Sequence, residues 1–488
     1  MPALLALDLG TTSAKAALID VEGSTIASAS AGYPTHHTPD GGTEQDPADW
    51  VRAAHAAIAR TLPPGADVTA LCLTGQMQDL VLEGEHGAAR PAVLYTDLRA
   101  AAEADEIRAA LAATGEDWDA LTGNLQDASS CGAMFRRLAR TSPDIAARTR
   151  GLTFGPAGHL AHALGAGLHC DLTTAAATGL LDARTSDWSP AVARAAEIDE
   201  ALLPHLTSEL GEIVGHTGAS AAELIGLPAG IPIVLAPGDA GAAALGITGV
   251  ETGQDHASLG TSGWIASIRL AQQVATVDGA SHRLALGGNA ALHISAILAA
   301  GAAAAWARDA YLSGESARSA DARLVQRAQT HGRAPTGLLV LPSLGGERFP
   351  VRDESLRGAV LGIHASTTPA DLYAGTLEGV ALALSHALDP ADAGRVLPVV
   401  GGGAASAPWR RILADVTGRP VLRADGTDAT LLGAALAGAQ ALDLDHRIAP
   451  LAAQGGEVTE PDPSAAGVFT ELRPAHRRLY DAAADLAG

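Results

Sequence analysis

Leu9-Gly10-Thr11-Thr12-Ser13 recurs, half a chain further on, as Leu259-Gly260-Thr261-Ser262-Gly263. Each copy follows a short strand-forming run, residues 3–9 and 256–259, and each precedes another, 14–19 and 264–268. The pattern is strand, tight Gly-Thr turn, strand. A chain with 55 glycines also repeats such turns by chance, but each copy here lies near the start of one half of the 488 residues. Two similar lobes facing one another are therefore expected, divided as 1–247 and 248–488. A turn of this kind offers backbone N–H groups and hydroxyls to an anion.

Around the turns, strand-like and helix-like stretches alternate, which predicts an α/β protein. Strands are expected at 68–74, 231–236, 337–341 and 397–400. Helices are expected at 46–60, 98–113, 131–140, 294–311, 369–388 and 407–417. The first helix opens on Asp46-Pro47, where Asp caps and Pro fits the first turn. The Gly- and Ala-rich span 237–253 joins the two lobes.

Composition narrows the function. There are 32 Lys+Arg against 54 Asp+Glu, a net charge of −22. Phosphate-rich partners are repelled by such a balance, so neither nucleic acid nor an anionic membrane is an expected partner. The apolar stretch 294–307 is too short to span a bilayer. Met1 to Asp8 carries no basic segment before its first charge, so a secretory signal is not expected and a cytoplasmic location is. Cys72, Cys131 and Cys170 lack the spacing of a disulfide framework or zinc site. Lys15 is the one lysine among 32 basic residues. Codon bias accounts for the arginines; a lone ammonium points to a place that needs a compact charge.

Asp8 stands directly before the first turn, where a carboxylate would repel a bound phosphate unless a divalent cation lay between them. Carboxylate, phosphate oxygens and water form a usual Mg²⁺ shell; an Asp that merely caps its turn is the alternative. Gly238-Asp239-Ala240-Gly241 follows the apolar run 231–237, and open α/β sheets bind ligands at such strand ends. A desolvated Asp239 gains a raised pKa suited to a general base, although Gly-Asp is also a common turn pair. Gly401-Gly402-Gly403-Ala404 lies between a strand and a helix and lets a flat ring or phosphate approach the backbone. It is neither GxGxxG nor a Walker A loop. Gln76-Met77-Gln78-Asp79 and Tyr95-Thr96-Asp97-Leu98-Arg99 carry groups suited to a polyol, or to a solvated turn. The histidines, His159 and His162 included, assemble no metal site.

In this order, these segments resemble the FGGY family of carbohydrate kinases, and within it the xylulokinases. The matching stretches are 8–15, Glu44-Gln45-Asp46-Pro47, 75–77, 231–246, 258–263, Leu341-Pro342 with Gly346-Glu347-Arg348, Leu377-Glu378-Gly379 and 401–418. The resemblance implies two RNase H-like (actin/hexokinase-type) lobes with an active-site cleft between them. It implies that Asp8 orders Mg²⁺ and that Gly10, Thr11, Thr12 and Lys15 face the ATP phosphates, opposite Gly260 and Thr261. Gly402, Gly403 and Ala404 then border the adenosine. Gln76, Met77, Gln78 and Asp239 line the sugar pocket, with Asp239 as catalytic base.

The implied reaction is phosphorylation of a sugar hydroxyl by Mg-ATP, D-xylulose to D-xylulose 5-phosphate in a xylulokinase. Three departures from the xylulokinase pattern bear on the sugar. Gln78 stands where His is usual, Tyr95-Thr96-Asp97 where Trp-Asn-Asp is, and Ala240 where Asn is. Gluconate, ribulose or an alditol therefore remain alternative substrates. A sugar- or nucleotide-binding regulator without turnover and an actin- or Hsp70-like ATPase are readings of other classes. A homodimer is compatible with the resemblance.

Overall fold

The computed structural model describes residues 2–271, 280–424 and 428–487. Strand Ala3–Leu9 is buried along its whole length. Alternate residues serve two cores: Leu5, Leu7 and Leu9 pack with Ala54 and Ile58 on one face, and Leu4 and Ala6 with Leu432 and Leu436 on the other. A strand covered on both faces reads as a continuous apolar run, and this one does.

The first sheet has six strands in the order Glu212–His216, Pro232–Leu235, Val68–Gly75, Ala3–Leu9, Ser13–Asp20 and Thr25–Gly32. The last three form antiparallel hairpins, whereas Val68–Gly75 runs parallel to Ala3–Leu9. Helix Pro47–Thr61 makes the crossover. Asp46 caps it through Ala48 N at 2.9 Å, and Trp50, Ala53, Ala54, Ala57, Ile58 and Thr61 form its buried stripe.

The second sheet repeats this plan. Asp255–Leu259, Gly263–Leu270 and Ala290–Ile297 are the hairpin strands; Leu397–Val400 and Val421–Arg423 are the parallel ones, and Val458–Thr459 is the antiparallel edge. Ser281–Gly287 is added at the other edge. The repeated Gly-Thr turn is thus the visible part of a repeated lobe.

The two helices that follow the corresponding strands, Asp239–Thr248 and Ala429–Ala441, cross where the lobes meet. A Cβ on Gly246 would lie 1.8 Å from the Ala429 carbonyl oxygen, and one on Gly433 1.8 Å from that of Ala242. Only glycine allows this approach. Helix Ala429–Ala441 then lies against the first lobe's sheet, so its N-terminal cap, Asp428, reaches the first lobe.

Two expected helices are corrected. The stretch 294–311 divides into strand Ala290–Ile297 and helix Gly301–Tyr311. The backbone N–H groups of Ala300, Gly301 and Ala302 are drawn onto the carbonyls of Thr261 and Gly260, which starts the helix there. The stretch 98–113 becomes helical only at Ala101–Ala112, because the Asp97 carboxylate takes the Arg99 N–H into a turn. Among the described residues no helix is long and apolar enough to cross a membrane.

Candidate active site

Asp8 and Lys15 are directly opposed across the first hairpin. Asp8 is buried, and its Oδ1 has no hydrogen-bond partner among the described residues. Burial, then the charges of Asp239 and Asp428, push its pKa up to about 7 against the opposing pull of Lys15. These four groups therefore share one electrostatic neighbourhood at the mouth between the lobes. Lys15 Nζ lies 2.6 Å from Asp428 Oδ2, an ion pair from lobe to lobe. Burial works against the ammonium, but Asp428 outweighs it and raises the Lys15 pKa.

The first turn is shaped by Gly10 N–H donating to Ser13 O and by the Tyr33 hydroxyl donating to Gly10 O. Thr12 at its tip is exposed. Among the described residues no cluster of three or more His, Cys, Asp or Glu could cage a metal unaided. Asp8, with one unpartnered oxygen, fits a Mg²⁺ held mainly by nucleotide phosphates and water.

Asp239 is the first residue of helix Asp239–Thr248 rather than part of a loop. The backbone before it is fixed from two sides. Thr74 Oγ1 donates to Pro237 O at 2.7 Å, and Asp171 Oδ1 accepts the Gly238 N–H at 2.9 Å. Asp239 Oδ1 accepts the Ala240 N–H at 2.7 Å. Burial raises the Asp239 pKa to about 6, opposed by that hydrogen bond and assisted by Asp171. A carboxylate so poised takes a proton from a hydroxyl near neutral pH.

Met77 packs on this segment: a Cβ on Gly238 would lie 2.3 Å from its Sδ. Gln76 is buried beside the end of strand Ala3–Leu9, its N–H bonded to Leu9 O at 3.0 Å. Gln78 has a left-handed φ of 65°, and its Nε2 donates to Ser129 O at 2.9 Å and to Ser129 Oγ at 3.0 Å. That twist turns Asp79 inward. Asp79 is fully buried, with Oδ1 accepting the Tyr95 N–H at 3.2 Å and Oδ2 unpartnered among the described residues. Burial holds its pKa well above the carboxylate range; the Tyr95 bond opposes this and Asp239 adds to it. The two stretches suited to a polyol thus meet at Asp79.

On the second lobe, Gly260, Thr261, Gly402 and Gly403 line one cavity of about 730 Å³ with Gly301, Arg308, Asp321, Tyr373 and Ser406. Those sizes and the glycine-lined wall suit a nucleotide. Gly403 must lack a side chain, since a Cβ would lie 2.7 Å from the Trp409 ring. Ala404 does not line the cavity: in the short helical turn Gly402–Ala405 it points into the core, and Ala405 faces the space instead.

Three residues escaped the sequence reading. Asp171 and Asp428 are single acids whose partners lie far along the chain, and no local pattern marks them. Gln45 belongs to a recognised motif, but its role was unassigned.

Both halves of the chain match models of one protein family. The N-terminal domain of the FGGY family of carbohydrate kinases matches residues 3–246 and its C-terminal domain residues 256–442. A xylulose kinase of Escherichia coli is 28% identical over 98% of both chains. A glycerol kinase of Thermus brockianus is 32% identical over 91% of both. The crystal structure of xylulose kinase from Rhodospirillum rubrum superposes with a TM-score of 0.86 at 26% identity, covering 99% of each chain. The chain belongs to the FGGY family of carbohydrate kinases, which phosphorylate carbohydrates with ATP.

Proposed function

We propose that the substrate is a neutral ketose or polyol, D-xylulose first among them, and that Asp239 is the general base. The observation that carries this is the charge of the site. Asp8 lies in the field of Asp239 and Asp428, and the ammonium beside it, Lys15, is already held by Asp428. A sugar acid would bring a further carboxylate into that field, where Lys15 is already paired. Gluconate is therefore the least favoured of the alternatives, and the neutral alcohols remain.

The sugar hydroxyl attacks the γ-phosphorus in line while the bond from that phosphorus to the β,γ-bridging oxygen breaks and ADP leaves, through a loose and highly charged transition state. Asp239 orients that hydroxyl from the start of its helix and accepts its proton as the bond to phosphorus forms. Gln76 and Met77 border the sugar. The turns at Gly10–Thr12 and Gly260–Thr261 grip the phosphates from either side, and Gly402 and Gly403 admit the adenosine. Asp8 would hold Mg²⁺, which neutralises phosphate charge when bound. Lys15 is released from Asp428 to a phosphate oxygen as the nucleotide enters.

A coupled ADP-release assay with D-xylulose, D-ribulose, glycerol, xylitol and D-gluconate tests this. The expected result is release that depends on a neutral member, with D-xylulose highest and D-gluconate lowest. Turnover led by gluconate would overturn the substrate class, and hydrolysis indifferent to every sugar would overturn the kinase mechanism.

A further inference from the structure

Gln45 lies in the Glu44-Gln45-Asp46-Pro47 stretch, fully buried at the end of strand Thr43–Gln45. A primary amide has two N–H donors and two acceptor lone pairs, and here all four are used. Nε2 donates to Thr11 O and to Thr35 Oγ1, both at 2.8 Å. Oε1 accepts from Trp50 Nε1 at 2.8 Å and from Gln76 Nε2 at 2.9 Å. One side chain thereby joins the first turn, the segment beside Met77 and the crossover helix. Its strand is tied to a fourth element as well, through Leu94 N–H to Thr43 O at 3.0 Å and Thr43 N–H to Asp97 Oδ2 at 2.9 Å.

The directions of these bonds matter more than their number. A trans peptide is planar, with its C=O and the following N–H pointing opposite ways. Drawing the Thr11 carbonyl onto Gln45 therefore aims the Thr12 N–H away from the core, on a residue that is exposed at the tip of the turn. The Gln76 amide is held by the same side chain. With Nε2 held by Gln45, its Oε1 is buried and has no partner among the described residues. One fixed amide thus presents a donor where a phosphate is expected and an acceptor where a sugar hydroxyl is expected.

We infer that Gln45 is a positioning residue that couples the sugar and nucleotide subsites, so that filling one pre-orients the other. This rests on the sugar-kinase mechanism proposed above. Gln45 touches neither substrate and acts through Thr11 and Gln76. A purely structural amide would affect stability alone.

Two substitutions divide the hub. Gln45→Glu keeps an acceptor for Trp50 and Gln76 but, ionised, has no proton for Thr11 O or Thr35 Oγ1, so the turn is released while the Gln76 side is kept. Gln45→Met removes both halves. The experiment measures KM for ATP and for D-xylulose (or the panel member with highest turnover), kcat and Tm. It also measures the Kd of AMP-PNP with and without that sugar. In the wild type the sugar should tighten AMP-PNP binding.

Gln45→Glu should raise KM for ATP about tenfold, the scale of one buried carbonyl left without its donor. Its sugar KM should stay within about twofold of the wild type. Gln45→Met should raise both KM values and abolish the effect of sugar on AMP-PNP. Unchanged KM values in a folded variant with lowered Tm would overturn the coupling. So would a wild type whose AMP-PNP affinity ignores the sugar, an outcome that needs no variant to fold. These results leave the kinase mechanism standing, which falls only if the wild type shows no sugar-dependent ADP release.

Discussion

The two Gly-Thr turns have the same fold and different chemistry. In the first hairpin Asp8 faces Lys15; at the matching place in the second, Ser258 faces Trp264. Side chains hold the first turn, Gln45 on Thr11 O and Tyr33 on Gly10 O. Backbone holds the second, where the N–H groups at the start of helix Gly301–Tyr311 reach the carbonyls of Gly260 and Thr261. A Cβ on Gly301 would come within 2.5 Å of Gly260 O, so that contact is close. One lobe plan, used twice, gives two similar turns. Asp8 and Lys15 belong to the first turn alone, whereas the matching pair in the second hairpin, Ser258 and Trp264, carries no charge.

The largest effect expected from this asymmetry comes from erasing it. Asp8→Ser gives the first turn the second turn's residue and should lower kcat by about 10²–10³-fold, the scale of losing one preorganised electrostatic group. Ser258→Ala should leave kcat within about twofold, since a neutral residue with no electrostatic role is being trimmed. Steady-state kinetics over a range of Mg²⁺ checks both, and comparable losses in the two variants would refute the division of labour.

Asp239→Asn should follow, with kcat reduced at least ~100-fold, the scale of a general base. AMP-PNP affinity should persist, because the second lobe's cavity is untouched. The base works deprotonated, and its pKa is raised to about 6. Wild-type kcat/KM for the sugar should therefore climb as pH rises through about 6 and then level off, and the variant should lose that limb. Near-normal turnover in the variant would remove Asp239 from the mechanism.

Two buried acids on equivalent strands extend the comparison to stability. Asp8 has no cation at hydrogen-bond distance, whereas Asp255 receives Arg419 Nη1 at 2.6 Å, Arg269 Nη2 at 2.7 Å and Ser267 Oγ at 2.7 Å. Burial raises both carboxyls; for Asp255 the Arg419 and Ser267 bonds and the arginine charges outweigh it and its pKa falls. The signs then differ. A raised folded pKa means the native state binds more protons than the unfolded one, so the Asp8 contribution is lost as pH rises from about 4 toward 7. A lowered folded pKa means that the Asp255 contribution is present above the unfolded value and is lost as pH falls through the folded one. In Mg²⁺-free buffer, Asp8→Asn should raise Tm at pH 8 by several degrees and change it little near pH 4, at ~1.4 kcal/mol per pKa unit. Asp255→Asn should lower Tm at pH 8, with a smaller deficit in acid. Thermal melts at the two pH values decide, and equal signs would show that the two strands do not differ in this way.

How much of this was legible in the sequence depends on the range of each interaction. The repeated turn, strand Leu397–Val400 and helix Ala407–Thr417 were readable because local patterning and turn residues set them. The boundary at Ile297–Gly301 was not, because a run of apolar and small residues there suits a strand or a helix, and contact with the distant turn at 260–261 decides. Asp239 was visible as an acid after an apolar run, yet its hold by Thr74 and Asp171 was not. The Lys15–Asp428 pair joins residues at opposite ends of the chain, brought together by a helix crossing that depends on Gly246 and Gly433. Ala404 reads like its glycine neighbours, and only a short helical turn rotates it inward.

Gln78 offers the smallest expected effect and the finest test of the border between the two sides. Its backbone is left-handed, a conformation His tolerates better than most residues with a Cβ. Gln78→His should therefore fold. It trades an amide that holds Ser129 through two hydrogen bonds for a ring of different reach. Loosening that tether moves one edge of the region around Asp79 and Tyr95, and the phosphate turns are held by other residues altogether. Sugar KM values should shift by a few-fold, ~1 kcal/mol, in an order that differs among D-xylulose, D-ribulose and glycerol. KM for ATP should stay constant. If ATP affinity moved and sugar preference did not, Gln78 would belong with the turns, and the separation of a sugar-reading wall from a phosphate-gripping one would be wrong at this residue.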